Sequence, residues 1–80
     1  MALPTIGRGH VRDAVVEHLR RYPDARDSLR GIAAWCEAIL GLRPAEDLVE
    51  DVVESMLADG ALHAVRLPDG TKVYGAPRSP

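Results

Sequence analysis

The stretch at residues 44–59 constrains the fold of this chain more than any other. Its apolar residues recur in steps of three and four, the spacing that places side chains on one face of an α-helix. These residues are Ala45, Leu48, Val49, Val52, Val53, Met56 and Leu57. The positions between them hold five carboxylates, namely Glu46, Asp47, Glu50, Asp51 and Glu54. The sequence therefore predicts a helix with one buried face and one acidic face.

Both ends of this stretch carry helix boundary signals. Pro44 suits the first helical position, because that position does not need a backbone N–H donor. Glu46 and Asp47 follow at the end where the helix dipole favours negative charge. Gly60 can adopt the left-handed conformation that often ends a helix. We therefore expect the third helix of the chain to begin at Pro44 and to end before Gly60.

Two further helices are predicted upstream, and the first follows an N-terminal arm at residues 1–8. Helical spacing predicts helix 1 from Gly9 or His10 to Tyr22, with Tyr22 in the inward apolar stripe. Pro23 ends this helix, because the residue before a proline disfavours the helical conformation. Residues 23–27 then form a polar connector.

The second helix is predicted between a capping residue and a glycine. Asp27 or Ser28 can accept hydrogen bonds from the first backbone N–H groups of a helix, and Gly41 can end it. Apolar residues at helical spacing fill the interval 29–40. Gly31 lowers helix stability relative to alanine. Close packing of helix 2 against helix 1 would explain why a glycine stands there.

After Gly60 the period of the apolar residues changes from 3.6 to about 2. Residues 61–67 and 71–75 contain the β-branched residues Val65, Thr71 and Val73, and Pro68-Asp69-Gly70 between them suits a tight turn. The sequence therefore predicts a two-stranded hairpin. Residues 76–80, which include two prolines, form a C-terminal tail.

Size and cysteine content limit the classes of protein to which this chain can belong. Its 80 residues suffice for one domain, predicted at residues 9–75. The single cysteine, Cys36, excludes an intramolecular disulfide and fits a cytoplasmic location. No apolar run is long enough to span a bilayer, and residues 1–10 lack the pattern of a signal peptide. We expect a cytoplasmic protein without membrane contact.

The net charge of −2 hides a strong asymmetry along the chain. Residues 1–30 carry a charge of +2, residues 31–60 a charge of −6, and residues 61–80 a charge of +2. The middle third is the acidic pole and contains the predicted acidic helix. A negative field of this kind favours basic partners.

Three helices followed by a hairpin with a Pro-Asp-Gly tip resemble the winged-helix family of helix-turn-helix domains. The segments that carry the likeness are Ile32-Ala33-Ala34, Leu40-Gly41-Leu42-Arg43-Pro44, Met56-Leu57-Ala58-Asp59-Gly60-Ala61-Leu62, Leu67-Pro68-Asp69-Gly70 and Val73-Tyr74. They match the start of helix 2, the turn, the end of the recognition helix, the wing tip and the closing strand. The likeness covers roughly residues 10–75 and implies a mainly α winged helix-turn-helix with a two-stranded wing. A shared fold does not by itself imply an activity.

The acidic third helix departs from the DNA-binding members of that family. In those members the third helix enters the major groove, and its outer face contacts bases and phosphates. Carboxylates at that face would repel phosphate and reverse the counterion-release effect that supplies much of DNA affinity. Three interpretations of the acidic face remain: a solvated outer surface, a docking surface for a basic partner or a mimic of nucleic-acid charge, and a cation site. The last lacks the loop pattern of known calcium sites.

Trp35 and the wing cations supply the other candidate contacts. Trp35 borders the helix 2 stripe, and its size favours burial in so small a core. If it is exposed, it is the best candidate for an apolar interface anchor. A second hypothesis keeps DNA as the partner. Its candidate contacts lie in the wing, helix 1 and the turn, and they are Arg66, Lys72, Arg12 and Arg43. Solvated strand edges would also explain Arg66 and Lys72.

No residue pattern points to catalysis, a metal or a cofactor. His10, His18, His63 and Cys36 are scattered over the predicted elements. No nucleophile and base stand at a mechanistic spacing, and there is no glycine-rich phosphate loop. We therefore expect a non-enzymatic adaptor, accessory subunit or homodimer without a small-molecule substrate. It would act by protein contact through the acidic face of helix 3.

Overall fold

Three helices and three short strands make up the computed structural model, which describes residues 5–77. In chain order they are α1 (Arg8–Arg21), β1 (Arg26–Asp27), α2 (Leu29–Leu40), α3 (Glu46–Ala58), β2 (His63–Arg66) and β3 (Lys72–Gly75). The three predicted helices and both strands of the predicted hairpin are confirmed. Residues 1–4 of the expected arm and residues 78–80 of the expected tail lie outside the described part of the chain.

The predicted boundaries of α2 are confirmed by its capping contacts. The Ser28 hydroxyl oxygen accepts a hydrogen bond from the Gly31 N–H at 3.3 Å. Gly41 ends the helix with φ of 79°, in the left-handed region where a side chain would be strained. The reason expected for Gly31 is wrong, however. A Cβ at this position would overlap the carboxylate of Asp27, not a side chain of α1. That carboxylate lies there because it accepts from the Ser28 N–H at 2.8 Å.

Helix α3 begins two residues later than the sequence predicts. Ala45 is the residue before the first helical turn and has an extended backbone, so Pro44 precedes the helix and is not its first residue. The C-terminal prediction is confirmed. Gly60 has φ of 81°, the Ala61 N–H donates to the Met56 carbonyl at 2.8 Å, and the Gly60 N–H donates to the Leu57 carbonyl. This pair of bonds is a Schellman motif.

The polar connector expected at residues 23–27 contains a strand. Strand β1 pairs with β3, so the sheet has three antiparallel strands in the order β1-β3-β2. The prediction of a two-stranded wing is therefore wrong in the number of strands, although β2 and β3 form the expected hairpin. Gly75 permits this close approach, since a Cβ there would lie 2.8 Å from the Ala25 carbonyl oxygen. A strand of two residues is too short to show a period of two in the sequence.

The core lies where the three helices meet. It also includes Leu62, which precedes β2. Its members are Val11, Ala14, Val15, Leu19, Ile32, Ala33, Trp35, Cys36, Val49, Val52, Val53, Met56 and Leu62. Tyr74 of β3 packs against this core from the sheet. The layout of three helices with a small antiparallel sheet is compatible with a winged-helix arrangement.

Candidate protein-interaction surface

The outer face of α3 carries all five predicted carboxylates in exposed positions. They are exposed because the opposite face, with Val49, Val52, Val53 and Met56, is buried. Glu46, Asp47, Glu50, Asp51 and Glu54 line one open depression of about 400 Å³ together with Leu29 of α2. We call these five residues the acidic face. The structure thus joins the predicted acidic residues into one surface and adds a half-buried leucine at its border.

Only part of the acidic face is neutralised by cations of the same chain. Asp51 forms an ion pair with Arg8 of α1. Between residues 5 and 77, no Lys, Arg or His side chain forms an ion pair with Glu46, Asp47, Glu50 or Glu54. The charges of Glu46, Glu50 and Glu54 follow one another at four-residue spacing, where like charges repel. This surface therefore projects a negative field into solvent.

Trp35 does not contribute to this surface, because its side chain is buried and only 8% exposed. The favoured interpretation of Trp35 as a core residue is confirmed. Trp35 is not exposed enough to be an apolar interface anchor. The imidazole ring of His18 stacks on the Trp35 indole, with ring centroids 4.1 Å apart and planes 13° from parallel. Burial against this aromatic surface lowers the pKa of His18, although Asp27 acts in the opposite direction.

Tyr22 is the exposed aromatic residue of this region, and the sequence placed it incorrectly in the inward stripe. Its side chain is 58% exposed, and its ring lies 5.0 Å from that of His18. The reason is that α1 ends at Arg21. Tyr22 has a non-helical backbone with φ of −129° and ψ of 76°, which turns it away from the helical stripe. The neighbouring Pro23 was the available signal for this departure.

The four cations of the DNA hypothesis fall into two groups, since two of them form ion pairs with acids of residues 5–77 and two do not. Arg12 forms an ion pair with Asp59 at 2.9 Å. Arg43 contacts Glu37 at 3.3 Å and also donates to the Arg30 carbonyl at 3.2 Å. Arg66 and Lys72 are exposed, directly opposite each other on β2 and β3, and paired with no acid within the described residues. The structure therefore does not join the four cations into one strip.

Cys36 and the potential metal ligands of residues 5–77 form neither a thiolate site nor a metal site. The Cys36 thiol is fully buried, and burial raises its pKa to about 11, so it is protonated near neutral pH. Over the same residues no three His, Cys, Asp or Glu side chains converge to hold a metal ion. Within the part of the chain described, no helix has the length and apolar character that crossing a membrane requires.

Comparison with protein-family models, with curated proteins and with solved structures finds no match to this chain. The likeness to winged-helix domains therefore rests on the order of the elements and on the sheet topology alone.

Proposed function

We propose that this chain is a small non-enzymatic winged-helix module that acts through protein–protein contact, with the acidic face of α3 as its docking surface. The observation that carries the proposal is the set of four exposed carboxylates without an internal cationic partner in residues 5–77. On α1, Arg8, Arg12, Glu17, Arg20 and Arg21 are ion-paired and Asp13 alone lacks an ion pair among residues 5–77. Among the helices of the described residues, α3 therefore carries the largest group of unpaired like charges.

The chemistry of the acidic face selects a basic partner. Complementary charge raises the rate of encounter and fixes orientation, and it discriminates against acidic competitors. Leu29 at the border of the depression offers apolar area that such a partner can cover. Two copies of this chain would not meet through their acidic faces, because a two-fold contact would oppose like charges. The partner at this surface is therefore a protein surface with clustered Lys or Arg side chains, and not the acidic face of a second copy.

DNA binding through the wing is the second candidate function, and the opposed cations Arg66 and Lys72 favour it. Arg12 and Arg43 do not support this function, because their guanidinium groups form ion pairs with Asp59 and Glu37. Two phosphate contacts supply little of the electrostatic affinity that DNA-binding proteins use. The acidic face would repel any duplex that approached it. The protein-docking proposal is therefore the better supported one.

Two charge-reversed variants test the docking proposal. Glu50→Lys with Glu54→Lys changes the acidic face, whereas Asp13→Lys with Asp24→Lys changes the net charge equally at exposed sites elsewhere. Proteins are captured from an extract of the source organism on each variant and on the unchanged chain. We expect at least one protein to be lost by the first variant and retained by the second. Its affinity for the purified chain should fall as salt rises.

The proposal fails if no captured protein distinguishes the two variants, or if affinity for the captured partner does not depend on salt. In that case the acidic face is a solvated surface. Binding of a short DNA duplex by the unchanged chain, with loss on Arg66→Glu, would instead support the second candidate.

A further inference from the structure

The outer edge of β2 presents backbone groups that no other strand of residues 5–77 uses. The sheet order β1-β3-β2 places β2 at one edge. The Leu67 N–H donates to the Thr71 carbonyl at 2.8 Å, which makes Leu67 and Thr71 a hydrogen-bonded pair of the antiparallel ladder. Such pairs alternate with non-bonded ones, and the register continues from Leu67 back to His63. His63 and Val65 therefore bond to β3, and the N–H and C=O groups of Ala64 and Arg66 point outward.

These outward groups have no partner among residues 5–77. No backbone or side-chain hydrogen bond of the described residues involves the main chain of Ala64 or Arg66 on this side. The main contact of β2 is with β3. An edge of this kind is a template for one more strand. Short edge strands with cationic side chains limit such pairing but do not abolish it.

The side chains at this edge determine what the added strand can be. Arg66 and Lys72 lie directly opposite each other on one face of the sheet, and like charges in that position destabilise a sheet unless an anion joins them. Val65 and Val73 lie opposite each other on the other face and are half-buried. An added strand alternates its side chains in the same way. An acidic residue beside Arg66 would contact its guanidinium group, and further acidic residues on that face would add attraction to Lys72 behind it on β3. β-branched apolar residues between them would lie on the same face as Val65 and extend the apolar row of Val65 and Val73.

We propose that the β2 edge binds an extended peptide in which acidic and β-branched residues alternate, by addition of a fourth strand. This site is separate from the acidic face and takes a partner of opposite charge. A second copy of this chain does not fit the edge, because β2 against β2 would gather two Arg66–Lys72 pairs on one face. A DNA backbone would satisfy the cations but not the paired donors and acceptors of Ala64 and Arg66.

The probe is an end-blocked synthetic peptide of alternating glutamate and valine, about eight residues long, a strand length common in proteins. Two further peptides carry N-methyl groups on the valine nitrogens only or on the glutamate nitrogens only. In an added strand the N–H groups of one set point to β2 and those of the other set point away. We expect one methylated peptide to bind about as well as the parent and the other to bind about tenfold less tightly, from the loss of several backbone hydrogen bonds.

Amide hydrogen exchange of the unchanged chain gives a second signature. On peptide binding, exchange at the Ala64 and Arg66 N–H groups should slow, whereas exchange at Val65, already bonded to β3, should change little. Ala64→Pro removes an outward donor and should weaken binding about tenfold, and Ala64→Ser, which keeps the donor, should not. Circular dichroism shows whether each variant is folded, and the methylated peptides need no variant.

Equal binding of the two methylated peptides would overturn the proposal, since it would show that charge alone holds the peptide. Equal binding of a lysine–valine peptide would do the same. If a short DNA duplex competes fully with the glutamate–valine peptide and binds more tightly, the wing cations form a nucleic-acid surface instead.

Discussion

Helices α1 and α3 bury similar apolar stripes and differ in how their outer charges are paired. On α1, Glu17 accepts from Arg20 at 2.7 Å and from Arg21 at 3.0 Å. Arg8 and Arg12 of the same helix pair with acids in or beside α3. Four carboxylates of α3 have no cationic partner within residues 5–77. The number of charges on a helix therefore does not identify a binding surface. A charged side chain projects its field into solvent only where no opposite charge of the same chain pairs with it.

The largest expected effect is a difference in the free energy of unfolding between substitutions on the buried face and on the acidic face of α3. Met56 is 1% exposed in the core, and Glu54 is exposed on the acidic face. Met56→Ala should lower the free energy of unfolding by about 2–5 kcal/mol, because it removes packed atoms and leaves a cavity. Glu54→Ala should change it by less than about 0.5 kcal/mol. Urea denaturation followed by circular dichroism measures both.

A loss of more than about 1.5 kcal/mol on Glu54→Ala would contradict the comparison. Such a loss lies well outside the range for a solvated surface residue. It would mean that the acidic face takes part in holding the domain together, and the docking proposal would lose its basis.

A smaller effect should follow from adding one cation to each helix. Glu54→Lys places a lysine four residues after Glu50, which replaces a like-charge contact by a favourable one. We expect the free energy of unfolding to rise by about 0.5 kcal/mol at low salt. Glu17→Lys on α1 should lower it, because this change removes two ion pairs and groups three cations. Thermal unfolding of both variants at low salt measures the signs.

Both changes should become smaller in about 1 M salt, where exposed charges are screened. A salt-independent gain on Glu54→Lys would point to packing by the lysine stem in place of charge. If Glu54→Lys and Glu17→Lys change the free energy of unfolding in the same direction, α1 and α3 do not differ in charge pairing.

The acidic face was predictable because it depends on local spacing alone. Side chains at Glu46, Glu50 and Glu54 share a face in any α-helix. The caps at Ser28, Gly41 and Gly60 were predictable for the same reason, since each satisfies the backbone of its own helix end.

Features that depend on tertiary contacts were not predictable from local spacing. The pairing of Arg12 with Asp59 joins residues far apart in sequence, and so does the pairing of β1 with β3. The position of Trp35 beneath His18 depends on how α1 packs on α2. For this reason the sequence indicated which charges were present but not which were paired. It also placed Arg12 and Arg43 among available cations when both are engaged.

The smallest expected effect concerns the protonation of Glu17, and it measures the pairing on α1 directly. The hydrogen bond from Arg20 is the main cause that lowers the pKa of Glu17, and Arg21 adds to it. A lowered carboxyl pKa in the folded chain stabilises it fully above the unfolded pKa, and this contribution is lost as the pH falls through the folded pKa. Arg20→Ala should therefore raise the pKa of Glu17 towards its ordinary value, and Arg21→Ala should raise it less. Carbon-detected NMR titration of the Glu17 carboxyl group follows both variants. If neither variant moves the pKa of Glu17, the α1 pairs do not form in solution, and α1 would then project its charges outward just as α3 does.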